Sequence, residues 1–138
     1  MSSARWKRVA MFGCETLAML VIAFCTGEAW AQSVEQGEAV FRKCAACHAI
    51  GEGAVNKVGP VLNGVVGRPA GTFEGYSYSA ANKNSGLIWD EDTLRAYLVS
   101  PQAKVPGTKM SFAGLQKQSE IESVIMYLKQ FDAAGKKM

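Results

Sequence analysis

Residues 44–48 read Cys44-Ala45-Ala46-Cys47-His48, and His48 is the only histidine in the chain. On a helical turn, positions i, i+3 and i+4 share one face, so both sulfurs and the imidazole point the same way. A close cysteine pair serves a disulfide, a redox couple, a metal or a covalent cofactor. A structural zinc wants four ligands, and beyond residue 25 the chain offers only these three. A thioredoxin-type pair sits beside a β-α-β pattern, and no Val/Ile-rich strand runs occur. The remaining reading of C-x-x-C-H is the attachment of a c-type haem: the thiols add to its two vinyl groups while the ring reaches the iron.

The N-terminus sets the compartment. Arg5, Lys7 and Arg8 precede an apolar stretch from Thr16 to Cys25, followed by Ala29-Trp30-Ala31. That is the layout of a secretory signal peptide, residues 1–31, with cleavage after Ala31. The uninterrupted apolar run is about half of the ~20 residues that span a bilayer, which argues against a retained anchor. Glu15 and Glu28 flank it, and Phe24 stands where lipid modification of Cys25 wants a small residue. Residues 32–138 then form one small domain in the periplasm, with a side-chain charge of +2. So weak a charge, with no arginine-rich stripe, argues against nucleic acid as a partner.

With a single histidine, one chain cannot supply two imidazoles to one iron. The sixth position falls to Met, to Lys, or stays open. Met138 is expected to fray at the C-terminus, and Met126 sits in a helical pattern with Ile121, Val124, Ile125 and Leu128, where a Met is core filler. Met110 follows Pro106-Gly107-Thr108-Lys109 in an irregular segment between two expected helices, where a loop can approach the cofactor. His/Met ligation leaves no position for substrate and suits outer-sphere electron transfer.

Ser33 with Gln36 forms a capping-box pattern expected to open a helix running to the motif, with Gly37, Val40, Phe41 and Cys44 as its face. Asp90-Glu91-Asp92 predicts the cap and acidic first turn of a second helix carrying Leu94, Tyr97 and Leu98, stopped at Ser100-Pro101. Ser119 with Glu122 predicts a third, with Ile121, Val124, Ile125, Leu128 and Phe131 as its face. Gly37, without a side chain, marks where the first and last helices could cross closely. From His48 to Asp90 the chain is glycine-rich and aperiodic, a length of loop that makes sense if it wraps a large cofactor. The fold class expected is all-α: three main helices and long loops around one covalent haem.

With these residues in view, the chain resembles the class I cytochromes c of the mitochondrial type and their short bacterial relatives. The resemblance runs from about Gln36 to Phe131. It rests on Gly37-Glu38-x-x-Phe41, Cys44-Ala45-Ala46-Cys47-His48, Gly59-Pro60-x-Leu62, Gly67-Arg68, Tyr78-Ser79-x-Ala81-Asn82-Lys83, Trp89 and Pro106-Gly107-Thr108-Lys109-Met110-x-Phe112-Ala113-Gly114. It implies that His48 and Met110 are the iron ligands and that the Pro60 carbonyl accepts the His48 Nδ1–H, a bond that fixes which ring nitrogen meets the metal. It implies that Arg68, Tyr78 and Trp89 hold the haem propionates. Asn82, Tyr97 and Thr108 match a polar network on the distal side, and Phe112 the aromatic beside the haem edge.

The resemblance implies a monomeric one-electron carrier and not an enzyme, moving electrons from a cytochrome bc complex to a terminal oxidase or a photosynthetic reaction centre. Lys43, Lys57, Lys109 and Lys117 match positions around the exposed haem edge, where a basic patch could steer docking onto an acidic partner. The lysines are sparser than in the mitochondrial members. A monohaem peroxidase would need an open iron position, and an anchored redox subunit would keep residues 1–31.

Overall fold

The computed structural model describes residues 25–138, with side chains described from Ser33 onward. The leader features expected within residues 1–24 lie outside the described residues. Five helices follow in order: α1 (Cys25–Phe41), α2 (Ala80–Lys83), α3 (Glu91–Val99), α4 (Pro101–Lys104) and α5 (Gln118–Lys129). Only α1, α3 and α5 exceed one turn. Among the described residues there is no sheet, only isolated antiparallel bridges between Pro69 and Ile88 and between Phe131 and Lys137, and no helix is long and apolar enough to cross a membrane.

Two of the three expected helix starts are corrected. In the full chain α1 already runs at Ser33, so the helix does not start there and the N–H groups that follow have carbonyl partners upstream; the cleavage expected after Ala31 would remove that upstream turn and leave Ser33 at the helix start. Helix α5 begins at Gln118 behind Lys117 without a side-chain cap bond. Its Glu122 carboxylate instead accepts from Arg95 Nε, at 2.8 and 3.1 Å, a pairing between two full charges that draws it away from the backbone N–H. The third start is as expected: Asp90 Oδ1 accepts from the Thr93 N–H at 2.7 Å. Helix α3 ends at Ser100, and Pro101 opens α4, where its preset φ and missing N–H suit the first helical position.

Helix α1 packs across α5, and α3 packs on α5. The crossing is at Gly37, where a Cβ would collide with the Ser123 carbonyl and lie 2.7 Å from Tyr127 Cβ. Ile121, Val124 and Ile125 of α5 are 1% exposed and fill the core beneath it. Phe41, Tyr127 and Phe131 form a run of rings with centroids 5.4 and 5.3 Å apart. The C-terminus does not fray: the Met138 N–H donates to the Gln130 carbonyl at 2.8 Å, and Asp132 Oδ1 caps the N–H groups of Ala134 and Lys136.

Arg95 clasps α3 to α5, bonding Glu122 across the helices, Asp92 through Nη1 at 2.6 Å and Glu91 through Nη2 at 3.2 Å, while Lys129 of α5 reaches Glu91. Lys129 first and then Arg95 hold the Glu91 carboxyl below its ordinary range; Arg95 does the same to Glu122. Folded carboxyl values below the unfolded ones stabilise the fold above the carboxylate range, and that stabilisation is lost as pH falls through it. Arg95→Gln is therefore expected to lower the melting midpoint at neutral pH by a surface-sized amount that shrinks in high salt and is progressively lost as pH falls below about 4, through the lowered carboxyl range. Thermal melts across pH and salt check this; a constant difference would mean lost packing.

Candidate functional site

The segment after α1 turns the motif into a small cage of its own. Helix α1 stops at Phe41, short of the cysteines, but His48 N–H and Cys47 N–H both donate to the Cys44 carbonyl, at 2.9 and 3.0 Å. That closed turn puts Cys44, Cys47 and His48 on one wall of a cleft. Burial pushes the Cys44 thiol up; Cys47 is exposed.

His48 is buried, and its ring lies flat against the backbone of Gly59. A Cβ at Gly59 would stand 2.5 Å from Cε1 and 2.8 Å from both ring nitrogens. The ring's Nδ1 is 2.7 Å from the Pro60 carbonyl. A carbonyl only accepts, so Nδ1 carries the proton and the Nε2 lone pair is left to face outward. Desolvation lowers the His48 pKa against the opposing pull of the Pro60 bond, which keeps the ring neutral and able to ligate.

Met110 lines the same cleft from the segment after α4. The Tyr97 hydroxyl, carried by α3, donates to its Sδ at 3.1 Å, and burial raises the phenol pKa, so that donor stays protonated. Thr108 Oγ1 accepts from the Met110 N–H at 3.2 Å. The Trp89 and Tyr97 rings pack with centroids 4.7 Å apart, and Tyr76 meets Tyr78 edge-on at the same separation.

All twelve residues singled out from the sequence line this one cleft: Cys44, Cys47, His48, Pro60, Arg68, Tyr78, Asn82, Trp89, Tyr97, Thr108, Met110 and Phe112. The four lysines are less uniform. Lys43 and Lys109 line the cleft, whereas Lys57 and Lys117 do not. Lys43 is paired with Glu120 of α5 at 2.8 Å, so its charge is compensated. Lys57 Nζ donates to the Ala45 carbonyl and Lys109 Nζ to the Ser77 carbonyl.

The cleft fits a metal macrocycle better than a bare ion. Among the described residues no group of three or more His, Cys, Asp and Glu side chains could hold a metal, so an iron here must bring most of its ligands with it. The walls are aliphatic and aromatic, and no carboxylate lines them. Among the described residues, two buried side-chain polar atoms have no protein partner: Arg68 Nε and Asn82 Oδ1. Arg68 spends Nη1 on the Asn63 carbonyl at 2.7 Å and Nη2 on the Val61 carbonyl at 3.3 Å, which leaves Nε for an acceptor the chain does not provide. Leaving such a donor unsatisfied costs about 1–3 kcal/mol, and the acidic side chains of a haem would satisfy it.

Three residues to which sequence reasoning gave no role in the site matter here. Gly59 seats the imidazole, a role visible only once its backbone meets the ring. Tyr76 ties the cleft edge by donating to the Val58 carbonyl at 2.6 Å. Glu120 silences Lys43 from a position remote in sequence, and nothing in the chain order signals that pairing.

The family model described as Cytochrome c matches residues 34–132. The chain is 52% identical over 119 residues to cytochrome c2 of Blastochloris viridis, covering 86% of this chain and 94% of that one. It is 58% identical over 106 residues to a cytochrome c2 of Rhodoplanes tepidamans, covering 77% and 99%. Among solved structures, cytochrome cH from Methylobacterium extorquens superposes with a TM-score of 0.66 at 45% identity, covering 70% of this chain and 96% of that one.

Proposed function

Because the chain belongs to the cytochrome c family and is an electron carrier with covalently bound haem c, not an enzyme, we propose that it is a monomeric periplasmic shuttle. It takes electrons from a cytochrome bc complex and delivers them to a terminal oxidase or a photosynthetic reaction centre, after cleavage following Ala31. His48 and Met110 are its iron ligands. The observation that carries this reading is that each is tied from behind by its own hydrogen bond, His48 by the Pro60 carbonyl and Met110 by the Tyr97 hydroxyl, on the walls of one carboxylate-free cleft.

The haem supplies the one-electron couple. The chain's residues hold everything else still. Pro60 keeps the imidazole in one tautomer, and the Tyr97 and Thr108 bonds keep the thioether and its backbone in place. Arg68 offers the cofactor's acidic edge a buried, unpartnered N–H donor, with Tyr78 and Trp89 beside it, while Asn82 lines the same cleft with an unpartnered acceptor that suits a donor and not a carboxylate. With both ligands fixed, little has to move when the charge changes, and no cleft carboxylate is on hand for acid or base chemistry on a substrate.

The test is an oxidised-state absorption spectrum of the purified protein with a haem-retention assay under denaturation. A weak far-red methionine–iron band with haem that stays attached is expected; retained haem without the band would sink Met110 as a ligand and bring ligand-binding chemistry forward.

Docking falls near Lys43, Lys57, Lys109 and Lys117: Lys109 lines the cleft, Lys57 and Lys117 stand outside its lining, and Lys43 contributes less because Glu120 faces it. Association with an acidic partner is expected to slow as salt rises, by less than a dense lysine ring would give. Stopped-flow rates over a salt series check this, and a flat series would remove steering from the account.

A further inference from the structure

We propose that Gln102 is a positioning residue that locks the Met110 segment, setting how rarely the thioether leaves its place. The inference rests on the reading of Met110 as an iron ligand. Between the Thr108 N–H, which bonds the Val105 carbonyl, and the Leu115 N–H, which bonds the Leu98 carbonyl, the backbone makes no backbone–backbone hydrogen bond among the described residues. Side chains hold this stretch instead. The Gln102 amide donates both to the Met110 carbonyl at 2.9 Å and to the Thr108 carbonyl at 3.3 Å, gripping the chain on either side of Lys109.

Gln102 is itself well anchored. It is the second residue of α4, whose Pro101 is among the most fully buried side chains in the molecule, and α4 is closed by Lys104 and Val105 N–H bonds to the Ser100 and Pro101 carbonyls. The side chain thus ties a segment without regular structure to a fixed turn of helix. Tyr97 holds the sulfur and Gln102 holds the backbone that carries it. Two carbonyls are the acceptors, so only a side chain that donates can do this work, and a carboxylate cannot.

An external ligand reaches the iron only when the thioether is displaced, so its apparent affinity scales with the fraction of displaced molecules. Imidazole titration of the oxidised holoprotein, followed by absorption, reads that fraction directly. Gln102→Glu, isosteric but without N–H donors, is expected to bind imidazole roughly three- to tenfold more tightly than the natural protein, the scale of one net hydrogen bond. Gln102→Lys, which restores a donor, is expected to return most of the way. The global unfolding midpoint of both variants should stay close to that of the natural protein, because Gln102 is exposed.

Met110→Ala separates the two ideas. If it leaves imidazole affinity unchanged, Met110 is no ligand and the underlying reading falls. If Met110→Ala binds far more tightly while Gln102→Glu matches the natural protein, the lock alone is wrong. A rise in Gln102→Glu that Gln102→Lys does not reverse, or that merely tracks a lower unfolding midpoint, also overturns it.

Discussion

Gly37→Ala is expected to destabilise the protein by about 2 kcal/mol or more, although the same change in an exposed helix would stabilise it by up to about 1 kcal/mol. The reversal of sign comes from the crossing of α1 on α5. The new methyl would meet the Ser123 carbonyl and the Tyr127 Cβ, neither of which can swing aside as the end of a flexible side chain could. The helices must part, and the packing of the 1%-exposed Ile121, Val124 and Ile125 against α1 loosens with them. In a domain of this size the melting midpoint should fall by roughly 10 °C. Circular-dichroism melts of the haem-loaded protein measure this directly; an unchanged or higher midpoint would show that the two helices do not meet as described.

Gly59→Ala acts on the iron side instead. Gly59 does not have a positive φ, so an alanine adds no backbone strain and the whole effect comes from its Cβ striking the His48 ring at 2.5 Å from Cε1. Overpacking of about 2 kcal/mol would shift the population with the imidazole off its seat roughly thirtyfold. Both thiols are untouched, so covalent attachment should persist, while the absorption spectrum changes, as the proposed role of His48 as an iron ligand requires, and the denaturant midpoint drops. A variant with natural spectrum and midpoint would mean that the ring does not rest on this glycine.

What could be read from the sequence divides along a physical line. The turn at Cys44–His48 and the Asp90 cap are local: a few adjacent residues contain every atom the structure uses, and both appear as expected. The Gly37 crossing could be placed because a missing side chain in an amphipathic stripe leaves a gap that a second helix can fill. The two capping boxes failed for non-local reasons. Ser33 was overruled by helix upstream of it, and Glu122 by Arg95 from another helix. The one-turn helices α2 and α4 are too short for any hydrophobic period to register, and Ser79 and Pro101 are their only signals. In the cleft, the motif and the resemblance pointed to positions that the structure brings together along one cavity, while the seat at Gly59, the grip of Gln102 and the pairing of Lys43 depend on three-dimensional neighbours.

The meeting of α1 with α5 has a bearing on how such a chain is made. Helix α1 finds its main partner in α5, far later in the sequence, so this part of the hydrophobic core cannot close before α5 has been made. Joining segments so far apart carries a loop-closure entropy that rises only slowly with length, so waiting adds little thermodynamic penalty but imposes an order of events: α5 is made first, and α1 is covered afterwards. A polypeptide threaded through a narrow channel from its N-terminus gains from that order, because it stays extensible until its final turns emerge, and it folds on the side where they arrive.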